Sequence, residues 1–173
     1  WVGPVSFNTP QVPADMDYTQ NFDGGGLSGF TFVDGGQTNK WAVGSATSKS
    51  PANSLYISND NGVTYTYTNS EARSTVHAYR DVKIPAGSIN EVLLQFDWKS
   101  VGEWGDYLQI WIVPVTYTPQ PGQMIQEADD RLQIGENFMD NPDWKNSINV
   151  IDGTGWADTV KRIVFQWTND EWQ

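Results

Sequence analysis

Apolar and polar residues alternate with a period of two along several short stretches of the chain, the signature of strands with one buried face. Within residues 91–99, Val92, Leu94, Phe96 and Trp98 fall on one side, and Leu93, Gln95, Asp97 and Lys99 on the other. Near the end, Ile163, Phe165 and Trp167 alternate with Arg162, Val164 and Gln166. The stretch 107–116 is apolar at nearly every position up to Val115, which predicts a central strand covered on both faces. Further strands are expected at 29–34, 41–43, 55–59, 63–68, 75–84, 148–151 and 159–168. Short strands at regular spacing, separated by turn clusters, predict an all-β fold, a two-sheet antiparallel β-sandwich. The clearest hairpin joins 55–59 to 63–68 through Asp60, Asn61 and Gly62, where glycine supplies the positive φ of a tight turn.

Two regions lack that rhythm. Residues 1–20 carry Pro4, Pro10 and Pro13 and read as an extended leader that packs along the domain edge or links to a preceding domain, leaving 21–173 as the domain proper. In 120–145 the pattern is weakest: 123–133 admits a short helix, and 137–144 reads as loop.

Composition agrees with the pattern. Aromatic residues make up 13% of the chain, with nine Trp, and 16 Gly and 9 Pro supply turns, as in all-β domains. A net charge of −11 repels nucleic-acid backbones and anionic membrane surfaces, so neither is an expected partner. The absence of cysteine removes disulfides, thiolate metal sites and thiol nucleophiles. The longest apolar run, 110–115, has strand length, far below the ~18 residues of a membrane span. A chain that begins at Trp1 without a signal peptide is expected to be a processed or excised piece, and a secreted or cell-surface location is expected for its parent.

Catalytic chemistry finds little support. His77 is the single histidine and sits in a strand pattern, with no nucleophile elbow near it. No phosphate-binding, dinucleotide or zinc-protease motif occurs, and Gly24–Gly25–Gly26 precedes a strand rather than a helix. Paired carboxylates of a glycoside hydrolase would have to come from Glu103 and Asp106, with Asp97 on the preceding strand, but Glu103 and Asp106 flank a turn. The chain is therefore read as non-enzymatic, with that hydrolase as the enzyme-class rival. Oxygen-rich loops at 21–23, 59–61 and 152–158 suit a hard cation such as calcium, although Asx-rich turns also form for their own sake. Trp104, Trp144 and Trp156 fall in expected loops, where they serve either as platforms for a sugar face or as loop anchors. Trp98, Trp111 and Trp167 are expected in the core.

Several of these pieces resemble, in order, the motifs of the cleaved-adhesin and choice-of-anchor J family. They are Asn21–Phe22–Asp23–Gly24, Trp41, the 54–59 hairpin strand with Gly62, and the Tyr79–Gly87 strand and turn. The series continues through Leu94–Lys99, Gly102–Glu103, Asp106–Leu108 and Val113–Pro114 to the Arg162–Asp170 strand. The resemblance implies a jelly-roll sandwich of the kind found in surface proteins exported by type IX secretion, an accessory binding role, and a structural calcium ion. Asp23, in the first motif, is then the leading metal ligand, with Glu103 and Asp106 next. It also implies a last strand after the Trp-x-Asn-Asp stretch, so a domain one strand short, with an exposed edge open to self-association, is expected. The function expected is a binding or adhesion module for a glycan, or alternatively for a surface protein, with a purely structural spacer as a third possibility.

Overall fold

The computed structural model of the protein describes residues 11–69 and 73–171. These residues form strands β1 (Ala14–Asp15), β2 (Thr31–Val33), β3 (Lys40–Gly44), β4 (Ser54–Ser58), β5 (Ser74–Lys83), β6 (Glu91–Ser100), β7 (Tyr107–Pro114), β8 (Leu132–Phe138), β9 (Asn141–Asp152) and β10 (Val160–Asn169), with no helix. The fold is all-β, a two-layer sandwich of jelly-roll type, antiparallel except that β1 runs parallel to β5.

One layer is a six-stranded sheet in the order β1-β5-β10-β7-β8, with β2 also on β5. Registers across its middle set the inner face. Trp167 lies opposite Val76 and Leu108, Phe165 opposite Ala78 and Ile110, and Ile163 opposite Arg80 and Ile112. The other layer is split. β3 pairs with β4 and β6 with β9, and no ladder joins the two pairs among the described residues. Both pairs pack on the same inner face. Trp41 and Ile57 meet Val76, Ala78 and Trp167, while Val92, Leu94 and Ile151 meet Ile110, Ile112 and Ile134. The alternation read in 91–99 is thus the one-sided burial of β6, and β7 is buried on both faces as its sequence predicts, from Ile110 to Val113.

The outer face of the large sheet is covered too. Trp111, Val113 and Val164 pack under Ile125 and Tyr117 of the connection that follows β7. Beside this apolar patch runs a row of amides. Gln166 Nε2 donates to Gln109 Oε1 at 2.7 Å, and Gln109 Nε2 donates to Gln133 Oε1 and to Asn137 Oδ1, each at 3.0 Å. Gln166 Oε1 accepts the Ile125 backbone N–H at 2.7 Å and lies 3.2 Å from His77 Nε2. Such a chain satisfies buried polar groups that would otherwise destabilise the layer.

Several sequence expectations are corrected. The region 123–133 forms no helix: it is irregular, with a bridge between Ala128 and Arg131, and it leads into β8. The expected loop 137–144 holds the end of β8 and the start of β9. Residues 63–68 are not a strand; one backbone bond, Asn59 N–H to Thr66 O, closes that turn, and β4 takes β3 as its partner instead. Of the leader, 1–10 lies outside the described residues, and Ala14–Asp15 pairs along β5 opposite Val82 and Lys83.

Two neighbouring titrations should oppose each other. Burial pushes Asp34 up to about 6 from 3.8, and burial pushes His77 down to about 4 from 6.5. Between pH 4 and 6 the folded Asp34 holds a proton that the unfolded chain lacks, so its contribution to stability grows as pH falls. Between pH 6.5 and 4 the unfolded His77 holds a proton that the folded chain lacks, so its contribution shrinks as pH falls. We expect these two slopes to offset one another in the parent chain. In thermal melts, Asp34→Asn should make the protein lose stability on acidification from pH 6.5 to 4, and His77→Gln should make it gain. Parallel melting curves for the parent and both variants would show that neither residue titrates as placed.

Candidate functional site

The split in the second layer opens a cleft of about 1140 Å3 onto the inner face of the large sheet. Its walls are β4 on one side and the whole of β6 on the other, and its floor includes Leu108, Ile112, Ile163 and Phe165. Residues 16–22, arriving from β1, close one side. The lining is mainly aliphatic and aromatic because it is the inner face of a sandwich whose facing strands do not meet.

Charge enters at defined points. Arg80 and Lys161 both line the cleft on the inner face, from β5 and β10. Arg80 Nη1 donates to the Val12 and Gly29 carbonyls at 2.9 and 3.0 Å, while its buried Nε has no partner among the described residues. Lys161 Nζ stands 4.8 Å from the centre of the Trp156 ring. Across the mouth, Lys49 of the β3–β4 connection meets Asp97 of β6 at 2.6 Å, in an exposed pair that also holds Asp97 below the usual carboxylate range.

The opposite end of the cleft is aromatic and more exposed. Lys99 Nζ lies 4.4 Å from the centre of the Tyr65 ring and 5.4 Å from that of Trp144. β9 begins opposite the end of β6, with Asn141 facing Ser100 and Lys145 facing Trp98, so Trp144 sits at that end. The turn that leaves β6 carries Trp104, which is 88% exposed.

The three tryptophans singled out in the sequence therefore separate. Trp144 and Trp156 line the same cleft at opposite ends of β6, and Trp104 stands outside it on the turn. Trp144 belongs to β9 rather than to a loop. Trp156 is half-buried against the cluster of Ile110 and Ile151, the position of an anchor. Trp111 and Trp167 are core residues as expected, and Trp98 packs edge-on against Phe138 at 5.1 Å. Sequence reasoning misses Tyr65 and Lys99, because 63–68 reads as a strand and Lys99 as an ordinary outward residue of the 91–99 strand.

The carboxylates do not form one centre. Asp23 Oδ1 accepts the Asn53 backbone N–H at 3.0 Å. Asp106 is buried and accepts from Asn69 Nδ2 at 2.8 Å and from the Asp170 backbone N–H at 2.9 Å. Burial, reinforced by Asp106, drives the Tyr67 phenol far above its usual range. Glu103 stays exposed on the turn before Trp104. Among the described residues no group of three or more acidic or histidine side chains is placed to hold a metal ion, whereas calcium takes six to eight oxygens. Neither Glu103 nor Asp106 lines the cleft, so they do not oppose each other across it as a hydrolase pair would. No described helix is long and apolar enough to cross a membrane.

No family model matches the chain, and no curated protein matches it. A solved structure of TmCBM61 in complex with beta-1,4-galactotriose superposes over 87% of this chain and 85% of that one, with a TM-score of 0.48 and 11% sequence identity. At that level the likeness speaks to neither ligand nor activity.

Proposed function

We propose that this protein is a non-catalytic binding module of a larger secreted or surface protein, and that it takes a carbohydrate chain on the aromatic end of the sandwich. The observation that carries this reading is Trp104, which is 88% exposed on the turn that leaves β6, the strand whose Lys99 lies against the Tyr65 and Trp144 rings. Leaving a large apolar side chain in water forgoes roughly 1.5–3 kcal/mol of burial, and a sugar face recovers part of that by stacking. Lys99 supplies hydroxyl-directed donors between two rings. Nothing in this reading is routed through a metal ion.

One observation favours a second reading, adhesion to a protein. On the outer face of β6–β9, Leu93 lies opposite Val150, and with Ile148 they form an apolar patch, each 59–64% exposed. Contiguous exposed apolar patches are a feature of protein contact surfaces.

Titration against a panel of soluble polysaccharides separates the two. Binding is expected, with Trp104→Ala and Trp144→Ala each weakening it at least tenfold, as aromatic anchors do. Trp156→Phe should leave affinity unchanged. Folded Trp104→Ala and Trp144→Ala variants that bind like the parent, or a parent that binds no polysaccharide while Leu93→Lys abolishes protein adhesion, would transfer the function to the outer patch.

A further inference from the structure

The cleft itself has a geometry that a sugar platform does not use. β4 is hydrogen-bonded to β3 and β6 to β9, so each presents a second edge with no ladder among the described residues. Those two strands line one cleft, over the apolar floor of Leu108, Ile112 and Phe165. Unpaired strand edges with an apolar surface beneath them are the elements of strand addition, in which main-chain bonds give affinity and alternate side chains give register.

Charge narrows the occupant. Arg80 and Lys161 line this space from the sheet floor: Arg80 is held at the Val12 and Gly29 carbonyls but keeps a buried Nε without a partner among the described residues, and Lys161 stands by Trp156, at the end of β6 away from Trp144. Neither makes an ion pair among the described residues; Asp17 and Glu91 line the cleft without pairing them. Two partly buried cations without an ion pair beside an apolar face favour an anion from the occupant, because its entry would take them further out of water and charge removed from water needs a partner.

We propose that the cleft is an acceptor groove for an extended segment of another protein, entering as an added strand between β4 and β6. The segment carries apolar side chains at alternate positions and one inward carboxylate that meets Arg80 and Lys161. It has no proline in its pairing region, because each residue must serve an edge on one side or the other. That requirement disfavours the chain's own residues 1–10, which contain Pro4. The exposed Lys49–Asp97 pair over the mouth is of a kind that holds weakly, so it does not bar entry.

The proposal is independent of the sugar reading, and its test uses different reagents. The full chain is titrated by calorimetry with an acetylated and amidated ten-residue peptide of alternating threonine and valine, with aspartate replacing one inward valine. The host peptides are the same sequence with asparagine for the aspartate, and with proline for a central threonine. Binding is expected to weaken at least tenfold in both hosts. Lys161→Gln, with its fold checked by circular dichroism, should remove most of the aspartate–asparagine difference. Equal affinity for all three peptides, or no binding at millimolar peptide, overturns the proposal. So does tighter binding of a synthetic residue 1–10 peptide, which would assign the groove to the chain's own leader. A dimer in sedimentation experiments that competes with the peptide would assign it to a second copy and equally overturns it.

Discussion

Asp81→Ala is expected to lower folding stability by about 3–5 kcal/mol, the cost typical of stranding one charge of a buried pair. Arg162 grips Asp81 with two parallel bonds, Nε to Oδ1 at 2.7 Å and Nη2 to Oδ2 at 2.9 Å, with the side chains 9% and 7% exposed. The third arm of the guanidinium, Nη1, donates to the Tyr117 carbonyl at 2.8 Å, and its carbon stands 3.9 Å over the Tyr79 ring. This fork therefore ties β5, β10 and the cover after β7 to one another. Removing the carboxylate leaves a cation on the covered outer face with a single carbonyl to face. The double variant Asp81→Leu with Arg162→Leu should recover much of the loss, since no charge then remains buried. Urea denaturation of the single and double variants decides the matter; a single-variant loss below about 1 kcal/mol would mean that water reaches the pair.

Gln166→Leu should cost roughly 3 kcal/mol while preserving shape. Gln166 is fully buried, and its one amide serves the Ile125 N–H, His77 and Gln109 together. Each buried polar group left without a partner costs about 1–3 kcal/mol. The loss should concentrate where the connection crosses the sheet, so Ile125 should detach before the strands separate. A urea midpoint shift equivalent to less than 1 kcal/mol, with the Ile125 amide still protected, would show that Gln166 does not hold the cover.

The sequence exposes strands that bury one face and hides those built by their neighbours. β6 and β10 are legible because Val92, Leu94, Phe96 and Trp98, like Ile163, Phe165 and Trp167, must all reach one core. β8 is hidden by Gly135, whose φ of 70° accompanies a register shift against β7 and breaks the alternation. The first half of β9, with Pro142, Asp143, Asn146 and Ser147, has poor strand propensity, and its pairing to β6 overrides that preference. The error at 63–68 runs the other way. Val63, Tyr65 and Tyr67 alternate as a strand would, but Tyr67 is held by the Trp167 ring at 5.0 Å rather than by a ladder. The cleft could not be read at all, because it is a relation between β4 and β6, and periodicity describes each strand alone.

That one-sided pairing of β6 should leave a record in its amides. In an antiparallel ladder, successive N–H groups point alternately toward one neighbour and the other. Toward β9 they are bonded, and toward the cleft they meet no strand. Hydrogen–deuterium exchange along Glu91–Ser100 should therefore alternate between slow and fast, residue by residue, while β10, flanked by β5 and β7, exchanges slowly throughout. The strand would behave as a comb with every second tooth in water, until something takes hold of the free ones.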